Sequence, residues 1–527
     1  MRNDLEMGNY IGIIDLGSNT VRLAVYYRDE LGVMYEFDNI KRVLRLISHV
    51  QQDGTLDADG FRITLDCLRQ FKELCDAREV SEIIGVATAG VRQAVNGQQL
   101  LEAIERETGI RVRLLSGEEE AYYGYLAVVN SMSLRDGYSI DIGGASTEIT
   151  YIQNRGRVAS FSFPFGVVTL TKKFLLHDIP ESQELRALDA FLSEQFASQP
   201  WIRASGCPVI ALGGTARNVA KVSQRRKGYT LASLHQYVIQ RAEVDAIYGE
   251  VSRGGIEVRK SMEGLSSDRA DIIVAGVAVF RVLMSRVVTE QLITSNKGLR
   301  DGILFEKMFH KAGTAPIADV AESSARQFMI RYHVNQAHAL HVRQLATELF
   351  DGFQQLKILT LGPTERKILG IAAMLHDIGR SINAYESSQH TFYLLSNVLL
   401  MGITHRERMM IAMVASYKNS KQLLSQLAAH QDIVEKTDKD TAEQLGLLVL
   451  AARTLDRSMT HQVTNVKVRH EKKRVVLECT GDKSDLVEYA LLEEVMKRFA
   501  KVFKRKFGFC AKTKRIPTVN IAGSTTE

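Results

Sequence analysis

The sequence predicts an α/β protein of two related lobes, followed by an all-helical domain and a small basic α+β domain, and three observations carry that reading. A motif occurs twice, as Ile13-Ile14-Asp15-Leu16-Gly17-Ser18-Asn19-Thr20 and as Ser139-Ile140-Asp141-Ile142-Gly143-Gly144-Ala145-Ser146-Thr147. Strand-like runs alternate with helical periodicity as far as residue 310, the pattern of mixed α/β folds. Over residues 319–460 strand-like alternation stops, and Leu, Ala, Met and Gln recur at helical spacing.

The elements follow in order. Residues 1–130 hold strand-like runs at Tyr10–Ile14, Val21–Tyr26, Glu82–Ala87 and Val112–Leu115, interleaved with helical patterns at Asp59–Cys75 and Gly97–Thr108. Residues 131–310 restart with the second motif, continue through strand-like Glu148–Ile152 and Val209–Leu212 into Gly213-Gly214-Thr215, and end in long helices. Each copy of the motif reads as strand, tight turn, strand, and each opens one lobe. Lys311 to Ala318, with Gly313 and Pro316, is a boundary. Residues 461–527 offer a charged strand pair, Val463–His470 and Lys473–Cys479, a helix from Asp485 to about Lys506, and a polar tail expected to be disordered from Thr518.

Composition narrows the class. With 527 residues the chain exceeds one core, and 45% hydrophobic with 24% charged residues is the balance of a soluble globular protein. The five cysteines are odd in number and lack metal-ligand spacing, which favours a reducing cytoplasm over a disulfide framework. No apolar run approaches the roughly 18 residues of a membrane span, and Asp15 interrupts the first apolar stretch, so a cytoplasmic location is expected. Residues 461–527 carry 15 Lys+Arg against 8 Asp+Glu and account for the whole net charge of +6. Polyanion attraction is therefore concentrated at that end.

Small residues in the two turns let consecutive backbone amides point at one anion, and their hydroxyls add donors. Gly17, Ser18, Asn19 and Thr20 form one candidate phosphate cradle, and Gly143, Gly144, Ala145, Ser146 and Thr147 the other. Asp15 and Asp141 are candidate Mg²⁺ ligands beside those phosphates, although Asp-x-Gly is also a common turn sequence. Ser116 and Glu119 fit a capping box, which leaves Glu120 on the first helical turn free to orient or deprotonate a water. Arg92, after Thr88-Ala89-Gly90-Val91 and one turn before Asn96, is a candidate phosphate clamp. Gly213, Gly214 and Thr215, leading to Arg217, open a helix whose amides suit another phosphate. Glu148 completes the acidic set.

Taken together, Asp15–Thr20, Thr88–Arg92 with Asn96, Ser116–Ala121, Asp141–Glu148, Leu212–Thr215, Gly264-Leu265 with Arg269-Ala270-Asp271, and Gly298–Gly302 resemble the exopolyphosphatase/guanosine pentaphosphatase family. The resemblance implies duplicated lobes of the actin-like ATPase and sugar kinase type. It also implies hydrolysis, with Mg²⁺ (or Mn²⁺), of the terminal phosphoanhydride of inorganic polyphosphate or of guanosine pentaphosphate. By motif position Glu120 matches the family's proposed base, Asp141 and Glu148 its metal- and water-organising carboxylates, and a homodimer is implied. Ala145 departs from the pattern, since many relatives carry a third glycine there, so either that residue has ordinary backbone geometry or the loop differs.

In the helical segment, His338, His376-Asp377 and Asp456 resemble the HD-domain metal phosphohydrolases, with Lys418 where a further His is more usual. The resemblance favours a structural role for this HD-like domain, with a divalent ion on these four residues as the alternative. For the basic end, a polyphosphate channel, non-specific nucleic-acid binding and a solvated helix face are the three readings. Without an aromatic stacking platform, sequence-specific nucleic-acid recognition is not expected. Rivals to hydrolysis are a polyphosphate- or nucleotide-sensing protein without turnover and a sugar-kinase-like phosphotransferase.

Overall fold

A computed structural model describes residues 10–30, 32–309, 316–481 and 486–513. Most of the expected boundary at Lys311–Ala318, the expected helix start at Asp485 and the tail from Thr518 lie outside these residues. The chain divides into two compact units, Met1–Val320 and Ala321–Glu527.

The first unit contains two sheets with matching strand order. β1 (Tyr10–Leu16), β2 (Thr20–Arg28) and β3 (Met34–Val43) form an antiparallel meander, and β4 (Glu82–Ala87) and β5 (Val112–Leu114) continue it in parallel, in the order β3-β2-β1-β4-β5. The second sheet repeats this with β6 (Gly137–Ile142), β7 (Thr147–Gln153), β8 (Gly156–Phe163), β9 (Val209–Leu212), β10 (Val238–Gln240) and β11 (Gln291–Thr294), in the order β10-β11-β9-β6-β7-β8. Leaving aside the added antiparallel edge β10, the two arrangements coincide strand for strand. This is the duplicated α/β lobe that the repeated motif predicts. β3 and β8 are absent from the sequence reading because they are outer strands. Their residues are mostly exposed or half-buried, and β3 carries Glu36, Asp38, Lys41 and Arg42, which protects a sheet edge from pairing but breaks the apolar alternation that marks a strand.

β1 and β6 are buried along nearly their whole length because neighbouring layers cover both faces. Between the sheets lie helix Gly117–Val129 and helix Leu299–Phe309. One apolar cluster joins Ile13, Tyr26 and Val86 of the first sheet to Ile210 and Leu212 of the second through Tyr123, Leu126 and Ile303. The two helices cross at Gly302, where a Cβ would lie 2.1 Å from the Tyr123 carbonyl oxygen, so only glycine permits the approach. Burial of side chains such as Leu126 and Ile303 on these shared helices, worth about 1.5–3 kcal/mol each, ties the sheets together. Ser116 caps the first helix as its sequence predicts, with Glu119 N–H donating to Ser116 Oγ (3.2 Å) and Ser116 N–H to Glu119 Oε2 (2.8 Å).

The second unit is helical through Asp438–Leu455, with Gln336–Gln355 packed against Pro363–Leu375 and Asp438–Leu455. Its small sheet follows: β12 (Val463–Glu471) and β13 (Arg474–Gly481) are antiparallel, and β14 (Lys506–Thr513) adds in parallel to β13. The sequence reading takes the last helix to about Lys506. It ends instead at Phe503, with Lys504 in the left-handed region (φ 51°), and Lys506 begins β14. Phe499, Phe503 and Phe507 all contact the Phe353 ring, and this apolar demand from the bundle turns the chain out of its helix despite the basic run.

Candidate active site

The chemistry-bearing side chains gather where the central strands of the first unit end. Asp15 closes β1 opposite Arg22 on β2, and Asp141 closes β6 opposite Glu148 on β7, so the two pairs occupy the same register position in the two lobes. The hairpins also close identically: Gly17 N–H donates to the Thr20 carbonyl (3.1 Å) and Gly143 N–H to the Ser146 carbonyl (2.9 Å).

Their remaining carbonyls are tied back. The Ser18 oxygen accepts from Ile47 N–H and the Asn19 oxygen from Leu44 and Arg45, while those of Gly143 and Gly144 accept from Val167 and Val168 at the start of helix Val167–Phe174. Among the described residues no peptide bond is cis, so the N–H following each carbonyl points the opposite way. The amides of Asn19, Gly144 and Ala145 therefore face away from the partners that hold the preceding carbonyls. Ala145 is buried and has no positive φ, so the turn takes alanine with ordinary geometry.

The cleft has a volume of about 150 Å³. Asp15, Glu120, Asp141 and Glu148 line it together with Arg22, Arg217, Arg269 and Arg300. Gly17, Ser18, Asn19, Thr20, Gly143, Gly144, Ser146, Gly213 and Gly214 of the predicted set also line it. Four predicted residues, Arg92, Ala145, Thr147 and Thr215, do not. Thr147 donates its hydroxyl to the Phe165 carbonyl (2.7 Å), Thr215 is buried against Gly276, and the Ala145 side chain is packed in the core of its lobe. Arg92 is engaged rather than free: its Nη1 donates to Glu120 Oε1 (2.5 Å) and to the Leu115 carbonyl (2.5 Å). Asn96 exchanges hydrogen bonds with the backbone of Leu56 (2.8 and 2.9 Å), a purely structural task.

Burial dominates the electrostatics. It raises the Asp15 carboxyl, pushes Asp141 up to about 6 and Glu120 up to about 7, and holds Glu148 well above the usual carboxylate range. Arg92 opposes the shift at Glu120 by its hydrogen bond and charge, and Ser162, donating to Glu148 Oε1 (2.7 Å), opposes it at Glu148. Burial likewise lowers Arg22 and Arg269 and brings Arg217 down to about 10. By contrast Asp301 is held low by Lys297 (2.8 Å) and accepts from Gly298 N–H (3.0 Å), which makes it a cap for helix Leu299–Phe309. Hard oxygen donors whose mutual repulsion and burial disfavour their own ionisation are a set that a divalent cation satisfies, so Asp15, Asp141 and Glu148 fit Mg²⁺.

These shifts have a measurable consequence. The Asp141 and Glu120 values both exceed those of an unfolded chain, so without divalent cations the folded protein holds more protons between roughly pH 4 and pH 7. The stabilisation from protonated Asp141 and Glu120 is present at low pH and lost as pH rises through about 6 and about 7. The melting temperature in chelator is expected to fall across that window, and to fall less in Glu120→Gln. An equal slope in the variant would remove Glu120 from this account.

The model of the Ppx/GppA phosphatase family matches residues 25–311, more than half of the sequence, and a model of domain III of that family matches residues 320–497. The chain belongs to the Ppx/GppA phosphatase family. It is accordingly a phosphatase acting on phosphoanhydride bonds. Two solved structures of Ppx/GppA proteins from Aquifex aeolicus are similar to it, at 27% and 28% identity with TM-scores of 0.52 and 0.50. They cover 58% and 56% of this chain, and 99% of each of theirs. An exopolyphosphatase from Cytophaga hutchinsonii shares the fold at 22% identity and TM-score 0.54, over 57% of this chain and 98% of its own. Among the described residues no helix is long and apolar enough to cross a membrane.

In this Ppx/GppA chain the arginines are what residue-by-residue reading underweights. Arg22 stands seven positions after Asp15, as Glu148 stands seven after Asp141, and that shared spacing is the signal that places it in the site. Arg269 and Arg300 sit in motifs already conspicuous in the sequence, but their side chains meet only in the fold. In the second unit, His338, His376 and Asp377 come together, while Asp456 lies behind His338 with Oδ2 2.8 Å from its Nδ1.

Proposed function

We propose that this Ppx/GppA phosphatase is an exopolyphosphatase, releasing terminal orthophosphate from inorganic polyphosphate. The observation that carries the choice of substrate is the cleft lining. Among the described residues that line it, Ile142 and Leu299 are the hydrophobic ones and none is aromatic, whereas four are arginines and most of the rest are glycines, hydroxyls and carboxylates. Such a surface suits phosphate groups in succession better than a purine ring.

In this reading the amides of both hairpins and the four arginines hold the terminal phosphates. Glu120 accepts a proton from a water as its oxygen attacks the terminal phosphorus, and the bridging P–O bond breaks to leave the shortened chain. A carboxyl held near 7 is matched to this task at neutral pH, and Arg92 keeps it oriented and partly ionised. Asp15, Asp141 and Glu148 would hold Mg²⁺ (or Mn²⁺), which when bound neutralises charge on the phosphate oxygens. A homodimer belongs to the same reading by resemblance, and a cytoplasmic location by the unpaired cysteines and the lack of a membrane-spanning run in the sequence.

The test is orthophosphate release by the full-length protein with Mg²⁺, from long-chain polyphosphate and from guanosine pentaphosphate at matched concentrations of terminal phosphate. Faster release from polyphosphate is expected. Preference for the nucleotide would transfer the assignment to guanosine pentaphosphate hydrolysis, and binding of polyphosphate without release would make the protein a sensor.

A further inference from the structure

Arg269 reaches the cleft from a single 3₁₀ turn, Ser267–Arg269, an element too short to fix a side chain by its own hydrogen bonds. The second lobe supports this turn from its own side. Asn218 Oδ1 accepts from Ser266 N–H (2.7 Å) and Oγ (2.9 Å), Arg259 Nη1 donates to the Ala270 carbonyl (3.0 Å), and the Arg269 guanidinium lies against Gly214. The two acidic residues that flank Arg269, Asp268 and Asp271, are held from the other lobe.

Lys41 Nζ donates to Asp268 Oδ2 (2.6 Å), and Arg45 Nη1 donates to Asp271 Oδ2 (3.0 Å). Both cations belong to the segment that braces the first phosphate hairpin. Lys41 stands opposite Arg22 in the β2–β3 ladder, and the N–H groups of Arg45 and Ile47 donate to the Asn19 and Ser18 carbonyls. Arg45 has φ 52°, a left-handed conformation that costs an arginine and suits glycine. Glycine would relieve that strain but could not reach Asp271. Burial disfavours an ionised Asp268, yet hydrogen bonds from Lys41 and Ser266 hold its carboxyl below the usual value. Burial likewise disfavours the Arg269 cation, and the charges of Asp268 and Asp271 oppose that effect.

We propose that Lys41 and Arg45 of the first lobe are positioning residues for Arg269 of the second, forming with Asp268 and Asp271 a two-point ionic clasp that registers Arg269 against the first phosphate hairpin. The clasp has this role only if Arg269 holds phosphate, as proposed above. The hairpin and Arg269 come from different lobes, so the distance between them decides whether one phosphate meets both. Two attachments, one on each side of Arg269, restrain the rotation of its short turn as well as its position. All four charged side chains are partly exposed, so each pair shifts an equilibrium by only a few-fold. The direction of the effect is what sets a clasp apart from simple attraction. A bare electrostatic field would have the cations draw the polyanion in and the carboxylates repel it, whereas a clasp needs both partners of each pair.

The experiment is steady-state kinetics of the full-length protein with Mg²⁺ at fixed ionic strength, on whichever of long-chain polyphosphate and guanosine pentaphosphate it hydrolyses faster. Lys41→Met, Arg45→Met and Asp268→Asn are each expected to raise KM about two- to fivefold with kcat within about twofold of wild type, and Lys41→Arg to restore KM. The replaced side chains are partly exposed, so these variants are expected to fold, as checked by circular dichroism. Arg269→Gln should raise KM about tenfold or more, and adding Lys41→Met to it should change nothing further, because the clasp then has no guanidinium to position. A lower KM in Asp268→Asn beside a higher one in Lys41→Met would reduce the pair to a surface field and overturn the clasp. Independent, multiplying effects of Lys41→Met and Arg269→Gln would do the same, as would wild-type KM in the clasp variants while Arg269→Gln is impaired. Wild-type KM in Arg269→Gln would instead remove the phosphate grip itself, and the clasp with it.

Discussion

Glu120→Gln is expected to lower kcat for phosphate release by about 10²–10⁴-fold while leaving polyphosphate binding nearly unchanged. The carboxyl lines the cleft, has its ionisation raised to about 7 by burial, and is aimed by Arg92 through a 2.5 Å hydrogen bond. Glutamine keeps the volume and an oxygen for Arg92 but cannot take a proton from water. Since the hairpin amides and arginines proposed to hold phosphate are untouched, the loss should appear in kcat and in the disappearance of a rise in activity through about pH 7. Full turnover by the variant would place the base elsewhere, and a parallel collapse of binding would make Glu120 a structural partner of Arg92.

Asp141→Asn is expected to cost about 10²-fold or more in kcat/KM and to raise the half-saturating Mg²⁺ concentration at least about tenfold. Asp141 is buried at the end of β6, where the charges of Arg217, Arg22 and Arg269 favour its ionised form and that of Asp15 opposes it. Asparagine preserves shape and removes the charge. The same carboxylate can be disturbed without being replaced. Gly213 has φ +83°, and a Cβ there would lie 2.5 Å from Asp141 Oδ1. Gly213→Ala should therefore displace the carboxylate, reproduce part of the Asp141→Asn phenotype, and cost about 1–2 kcal/mol of stability from backbone strain. Normal Mg²⁺ dependence in both variants would show that the cation is held without Asp141.

The duplicated hairpins were legible because the same residue types recur in the same order, and repetition removes the ambiguity of a single Asp-x-Gly turn. Strand Glu82–Ala87 and helix Gly97–Thr108 were legible to the residue, since their apolar periods are unbroken and they are bounded by clear turns. β3 and β8 were not, because an outer strand satisfies solvent on its free side and needs no apolar alternation. β14 was hidden in a run of basic residues whose neighbouring phenylalanines decide its conformation only when Phe353 is present to receive them.

Acting alone, the sequence determined the chemical inventory: two hydroxyl- and glycine-rich cradles, a carboxylate at the end of each leading strand, and a helix start that leaves Glu120 outside its own cap. These are local facts, set by backbone sterics and hydrogen bonding over a few residues. Only the tertiary structure decided that Arg92, 28 positions away, is the partner of Glu120, and that Asp456, 118 positions away, stands behind His338. It likewise brought Arg22, Arg217, Arg269 and Arg300 from separate elements into one cleft. Contacts of that kind depend on how sheets and helices pack, and in the buried site they create, desolvation changes the ionisation of every group it holds.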